Sequence, residues 1–220
     1  MKKFAISDIH GCYHTFVALL SKVNFTKYDQ LFLLGDYINR GPKSKEVVDY
    51  IMAMQTEGYH IIVLKGNHEE MVFDSLELGN WTDGEPETLK SFGIKHLRYL
   101  DKKYVTWFKN LKSYYIDKDF LLVHAGFNFQ FDNPFEDRSC MSWITNWHET
   151  INYKWLENKT IVHGHQPQTA PAIKKMLKNL KSKQVINIDN GCNIQYQNGF
   201  GSMCCFELTN QVLTFQENID

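Results

Sequence analysis

Apolar residues in this chain alternate between short unbroken runs and stripes at helical spacing. The runs KFAI (residues 3–6), QLFLL (30–34) and HIIVL (60–64) predict strands, each followed by a polar or glycine-bearing loop. Between them, TFVALLSKV (15–23) carries a helical apolar stripe, and SKEVVDYIMAMQTEG (44–58) does so until Gly58 stops it. The order βαβαβ within the first 67 residues predicts a largely parallel sheet, and the unbroken apolar runs suit strands buried on both faces.

Residues 67–110 predict helix and irregular chain, punctuated by Trp81, Gly84, Pro86 and Gly93. FLLVHAG (120–126) restores the strand-then-loop pattern. The aromatic stretch 128–155 lacks clean periodicity and reads as a packed crossover, with a lid over a site as the alternative. TIVHGHQP (160–167), QVINIDNGC (184–192) and GSMCCFEL (201–208) predict three more strands, and QVLTFQ (211–216) closes a terminal hairpin. IKKMLKNLKSK (173–183) predicts one amphipathic helix with Ile173, Met176, Leu177 and Leu180 on its apolar face and lysines facing solvent. With no linker or repeat, the expectation is a single α/β domain over residues 1–220. It has a partly helical insertion around 70–118 and an aromatic crossover around 127–156.

Composition narrows the function. The 24 basic and 25 acidic residues give a net charge of −1, so a broad nucleic-acid surface is not expected. No apolar stretch approaches the roughly 18 residues of a membrane span, and no secretory leader opens the chain. Five cysteines, at 12, 140, 192, 204 and 205, form no Cys-x-x-Cys pair and are odd in number, which points to a reducing cytoplasm.

One placement recurs. Asp8 and His10 follow the first apolar run, Asp36 the second, and Asn67 and His68 the third; His124 ends the fourth and His165 follows the fifth. Ligands of α/β sheets gather beyond the carboxyl ends of strands, so these residues are expected to converge. Asp8 and His10, one residue apart, would share a face if the backbone were extended. The mixed oxygen and nitrogen donor set, free of cysteine, suits two divalent ions bridged by Asp36, with Mn²⁺ first and Fe²⁺, Zn²⁺ or Mg²⁺ as alternatives. Two such ions, two carboxylates and one hydroxide leave the site slightly positive, before Arg40 is counted, and so suited to a phosphate ester.

The blocks SDIHG (7–11), GDYINRGP (35–42), GNHEE (66–70), LVHAG (122–126) and HGHQP (163–167), with IDNGC (188–192) after them, resemble in order those of calcineurin-like metallophosphoesterases. Bacterial serine/threonine phosphoprotein phosphatases are the nearest resemblance. It implies a four-layer fold, a central β-sandwich of mixed sheets flanked by helices. It also implies that Asp8 and His10 bind the first metal, Asp36 bridges, and Asn67, His124 and His165 complete the second. Arg40 would clamp phosphate and His68 would assist the leaving alkoxide. The expected activity is hydrolysis of phosphomonoesters, phosphoserine and phosphothreonine proteins foremost, by direct attack of metal-held hydroxide. Alternatives are a dinucleoside-polyphosphate hydrolase of diadenosine tetraphosphatase type, or a weakly active phosphate-binding regulatory scaffold. The partner is a phosphorylated protein or a small phosphorylated molecule.

Several positions depart from that pattern or stand outside it. Asn39 occupies the place of an aspartate that pairs with the histidine matching His68. It is expected to accept a hydrogen bond there without stabilising imidazolium. Thr145 replaces an arginine in the WIR-like segment, with Arg138 nearby in sequence, and WTDGEPETLKSFG (81–93) lacks the usual Asn-Gly-Gly start. His163 and Asp189 are candidate supporting residues behind the ligands.

Overall fold

The computed structural model describes residues 1–78, 85–194 and 197–220. Strands β1 (Lys3–Ile6), β2 (Gln30–Leu33) and β3 (His60–Val63) pair in parallel, linked by helices α1 (Tyr13–Lys22) and α2 (Ser44–Thr56). The same sheet is completed by an antiparallel hairpin, β8 (Ser202–Glu207) and β9 (Val212–Glu217), in the order β3-β2-β1-β8-β9. A second sheet, β4-β5-β6-β7, joins β4 (Tyr114–Ile116), β5 (Phe120–Val123), β6 (Thr160–His163) and β7 (Val185–Asn187).

Period-2 alternation divides each strand between two cores. In β1, Ala5 faces the second sheet and joins Phe32, Leu122, Val162 and Phe206 between the sheets. Phe4 and Ile6 face the other way, onto Phe16 and Leu19 of α1 and Val47, Val48 and Ile51 of α2. In β5, Phe120 and Leu122 point inward, while Leu121 and Val123 pack under Phe127, Met141, Trp147 and Leu156. The result is the expected α/β arrangement of two mixed sheets with covered outer faces.

The rings of the aromatic stretch pack on one another. Phe127, Phe129, Phe135, Trp147 and Trp155 form one ring cluster against β5 and β6, with centroids 4.9–5.9 Å apart in the closest pairs. Its short helix α6 (Tyr153–Leu156) is capped by the Asn152 side chain.

Among the described residues between β3 and β4 three helices form: α3 (Asn67–Leu78), α4 (Glu85–Phe92) and α5 (Lys102–Lys109). Trp81 and Gly84 lie outside the described residues. The lysine-rich helix is two: α7 (Ala170–Lys178), capped by Thr169, and α8 (Leu180–Lys183). The break is at Asn179, whose amide donates to the Lys175 carbonyl and closes the first helix. No helix among the described residues is long and apolar enough to cross a membrane. All five cysteines are free, and four are buried.

Candidate metal centre

Four loops and the start of α3 meet beyond the carboxyl ends of β1, β2, β3, β5 and β6. The loops after β1 and β2 run side by side: His10 N donates to Asp36 O at 2.8 Å and Gly11 N to Tyr37 O at 2.9 Å. The loop after β5 joins through His124, whose Nδ1 donates to the Leu34 carbonyl at 2.9 Å. Gly164 N then donates to the His124 carbonyl, bringing in the loop after β6.

The extended backbone expected between Asp8 and His10 is not found. Both residues have positive φ, 53° and 45°, as do Asp36, Asn39, Arg40 and His165. Among the described residues these six are more than half of the eleven non-glycine residues in that conformation, so backbone strain concentrates at one place. Asp, Asn and His tolerate it better than most side chains. Two glycines admit the close packing. A Cβ on Gly66 would run into the Asp36 carboxylate, and one on Gly164 into Ser7 and Asp8.

Asn67 and His68 open α3 and also belong to the cluster. Glu69, the third residue of that helix, is the group that sequence reasoning passed over. Its carboxylate accepts from Gly66 N at 2.9 Å, which makes Gly66-x-x-Glu69 half of a capping box. The same carboxylate accepts from Asp36 N at 2.9 Å and Tyr37 N at 2.8 Å, so the helix start also holds the loop after β2. Burial pushes its pKa up to about 7, against the pull of these N–H groups. The four-residue spacing was the available signal.

Two clusters share Asp36: His10, Asp36 and His68, and Asp36, His124 and His165. His10 Nε2 lies 3.5 Å from Asp36 and 3.9 Å from Asp8, and His124 Nε2 lies 3.5 Å from Asp36. The far nitrogens are occupied. His10 Nδ1 meets the Ile38 carbonyl at 3.0 Å, His124 Nδ1 that of Leu34, and His165 bonds to the Trp143 carbonyl. His10 and His124 therefore each turn a bare Nε2 lone pair toward the centre. Asn67 Oδ1, itself an acceptor, stands 3.0 Å from both His124 Nε2 and His165 Nδ1. Acceptors facing acceptors at this range repel unless a cation lies among them.

The charges say the same. Burial, then Asp8 and Glu69, push the Asp36 carboxyl well above the usual carboxylate range. Burial lowers His10 strongly, His124 to about 4 and His68 to about 3, with Arg40 among the causes in each case. The imidazoles are thus neutral, the state in which they bind metal. Arg40 sits exposed at the rim.

Of the remaining candidates, Asn39 contacts His68 at 2.9 Å, but through its amide nitrogen: Nδ2 faces Nδ1. It donates where it was expected to accept, because the Thr88 hydroxyl occupies its oxygen at 2.6 Å. His163 turns from the cluster, pairing with His148 at 2.8 Å beside Trp147. Asp189 is buried and caps a turn, accepting from Gly191 N at 2.7 Å. Burial and then Asp8 push its pKa up. Thr145 and Arg138 are exposed.

Residues 1–194 match the calcineurin-like phosphoesterase family. The chain belongs to that family. Membership implies divalent metal ions, in keeping with the donor set. A symmetrical bis(5'-nucleosyl)-tetraphosphatase of Buchnera aphidicola subsp. Baizongia pistaciae is 33% identical over 132 residues, 57% of this chain and 44% of that protein. Its counterpart in Nitrosococcus oceani is 34% identical over 135 residues, 60% and 46% of the two chains. The matched region thus spans about half the length of these curated relatives. A crystal structure of a candidate diadenosine tetraphosphatase superposes with a TM-score of 0.69 over 97% of this chain and 92% of that one, at 17% identity, a likeness of fold. These relatives overturn the expected assignment to serine/threonine phosphoprotein phosphatases. The blocks that suggested it are the shared metal-site loops, which do not distinguish the two groups.

Proposed function

We propose that this protein is a two-metal phosphohydrolase acting on a small dinucleoside polyphosphate, splitting a tetraphosphate bridge symmetrically into two nucleoside diphosphates. The observation that carries the metal part is Asp36 shared between His10 on one side and His124 with His165 on the other, gathered around the Asn67 side-chain oxygen. The substrate part draws on the relatives that bear that activity in their names.

In this reading Asp8, His10 and Asp36 hold one ion, and Asp36, Asn67, His124 and His165 the other, with Mn²⁺ the first choice. When bound, the two ions lower the pKa of water and neutralise charge on the phosphate. The chain's own residues do the rest. The Ile38 and Leu34 carbonyls fix the tautomers of His10 and His124, so their Nε2 atoms are bare before the metal arrives. Arg40 offers its planar fork to the bridge oxygens at the rim. His68 Nε2 lies 3.9 Å from Asp36, and in this reading it would steady the leaving oxygen.

Trp143 supports a substrate with a base. Its indole N–H is anchored on Glu70 at 2.6 Å, and the residue is 42% exposed. Such an anchored, exposed aromatic face is suited to stacking adenine.

Metal-stripped protein reloaded with Mn²⁺ and given diadenosine tetraphosphate should yield ADP alone. ATP with AMP as products, or turnover confined to phosphopeptides, would sink the reading.

A further inference from the structure

We infer that Asn39, locked by Thr88, makes this site selective for leaving groups that depart without a proton, phosphoanhydrides and aryl phosphates over alkyl phosphomonoesters. The inference rests on the two-metal phosphohydrolase reading and refines its substrate class.

The lock is a buried set of hydrogen bonds. Asn39 and Thr88 are each 1% exposed. Asn39 N donates to Ser44 Oγ at 3.1 Å and to Thr88 Oγ1 at 3.0 Å. Thr88 Oγ1 lies 2.6 Å from the Asn39 side chain, a normal length for O–H···O and too short for N–H···O, so the amide oxygen is on the Thr88 side. Ser44 Oγ, 3.3 Å from Thr88 Oγ1, can donate to it and leave the threonine proton for the amide oxygen.

The amide nitrogen then has one place to point, His68 Nδ1 at 2.9 Å. Nδ2 brings only hydrogens, so Nδ1 must present its lone pair. The proton of His68 therefore sits on Nε2, the nitrogen facing the metal cluster. A carboxylate in place of Asn39 would do the reverse, accepting from Nδ1–H and favouring the doubly protonated ring.

The consequence is chemical. A neutral imidazole with its proton on Nε2 donates a hydrogen bond, but it would become an anion if it surrendered that proton. In hydrolysis, water's oxygen joins phosphorus and its proton passes to solvent. The bond to the leaving oxygen breaks, and its electron pair stays on that oxygen. His68 N–H steadies the developing charge without transferring a proton. A nucleoside diphosphate or a phenolate carries such charge readily. An alkoxide does not, and needs a proton that this His68 cannot supply.

The experiment has two arms. In metal-free protein labelled with ¹⁵N-histidine, two-bond correlation spectra at neutral pH should show His68 with its proton on Nε2. Thr88→Val should release Asn39 and give mixed tautomers, while Thr88→Ser should retain the single one. In the Mn²⁺-loaded enzyme, log kcat/KM for aryl and alkyl phosphates should fall steeply with leaving-group pKa. Asn39→Asp should flatten that slope, raising alkyl relative to aryl hydrolysis at least 10-fold. A proton on Nδ1 in the wild type, or a slope unchanged by Asn39→Asp, overturns the inference. So does a single Nε2–H tautomer in Thr88→Val. Should Asn39→Asp not fold, the wild-type spectrum and the Thr88 pair still decide. A steep slope in a protein that leaves diadenosine tetraphosphate intact supports the inference and removes the substrate reading instead.

Discussion

Glu69 holds Asp36 by its backbone: the carboxylate of one accepts the N–H of the other at 2.9 Å, across 33 residues of sequence. The bridging candidate is thereby positioned by the first turn of α3, independently of any ion. Glu69→Gln keeps the shape but turns an amide toward backbone N–H groups that need acceptors. Losing charge-assisted bonds in a buried site should cost about 2–4 kcal/mol. Urea unfolding of the metal-free variant would measure it. A change below about 0.5 kcal/mol would mean that the carboxylate does not organise the loop.

Gly66 admits Asp36 by having no side chain. Gly66→Ala would place a methyl against the Asp36 carboxylate and backbone N, whereas Gly58, at φ +85°, has open space around it. Gly58→Ala should cost only backbone strain, roughly 1 kcal/mol, and leave metal uptake intact. Gly66→Ala should lower metal stoichiometry as well as melting temperature. Equal behaviour of the two variants in metal titration would contradict the steric account.

Acid should destabilise the metal-free protein through its buried histidines. His124 falls from 6.5 unfolded to about 4 folded. As pH drops below 6.5 the unfolded chain takes the proton first, so stability is lost progressively down to about 4. For this one group the loss is on the order of 3 kcal/mol. Glu69 has the opposite sign: its folded value of about 7 lies above 4.5, so it adds stability as pH falls through that window. The difference between wild type and His124→Gln isolates the imidazole. That difference should shrink between pH 7 and 4, and parallel curves would refute the assignment.

What could be read from the sequence was whatever lay within one element. Strands β1, β2, β3, β5 and β6 announce themselves as apolar runs ending in polar loops, and the metal-site residues stand where those runs end. Strand β4 is three residues, Tyr114–Ile116, none buried, and exists because β5 pairs with it. His163 looked like a partner of His165 from their spacing. The positive φ of His165 breaks the alternation, so His163 keeps the strand's direction and faces the crossover instead. Glu69 and Thr88 act on partners 33 and 49 residues away, and no local pattern encodes such a contact. The direction of the Asn39 amide is likewise set by a hydroxyl from α4.

Asp36 offers the most direct test of the shared centre, because both donor clusters include it. Asp36→Asn removes one negative charge and leaves an amide whose nitrogen cannot bind a cation. The variant should take up at most one ion with its former affinity, against two for the wild type, by elemental analysis after gel filtration. Hydrolysis of diadenosine tetraphosphate should fall by roughly 100-fold or more, since a ligand contributes at least as much as the groups that orient it. Folding should survive, because relief of the crowding among Asp36, Asp8 and Glu69 offsets the lost charge in the metal-free state. Two tightly held ions in Asp36→Asn, with unchanged turnover, would show that the clusters do not share this carboxylate.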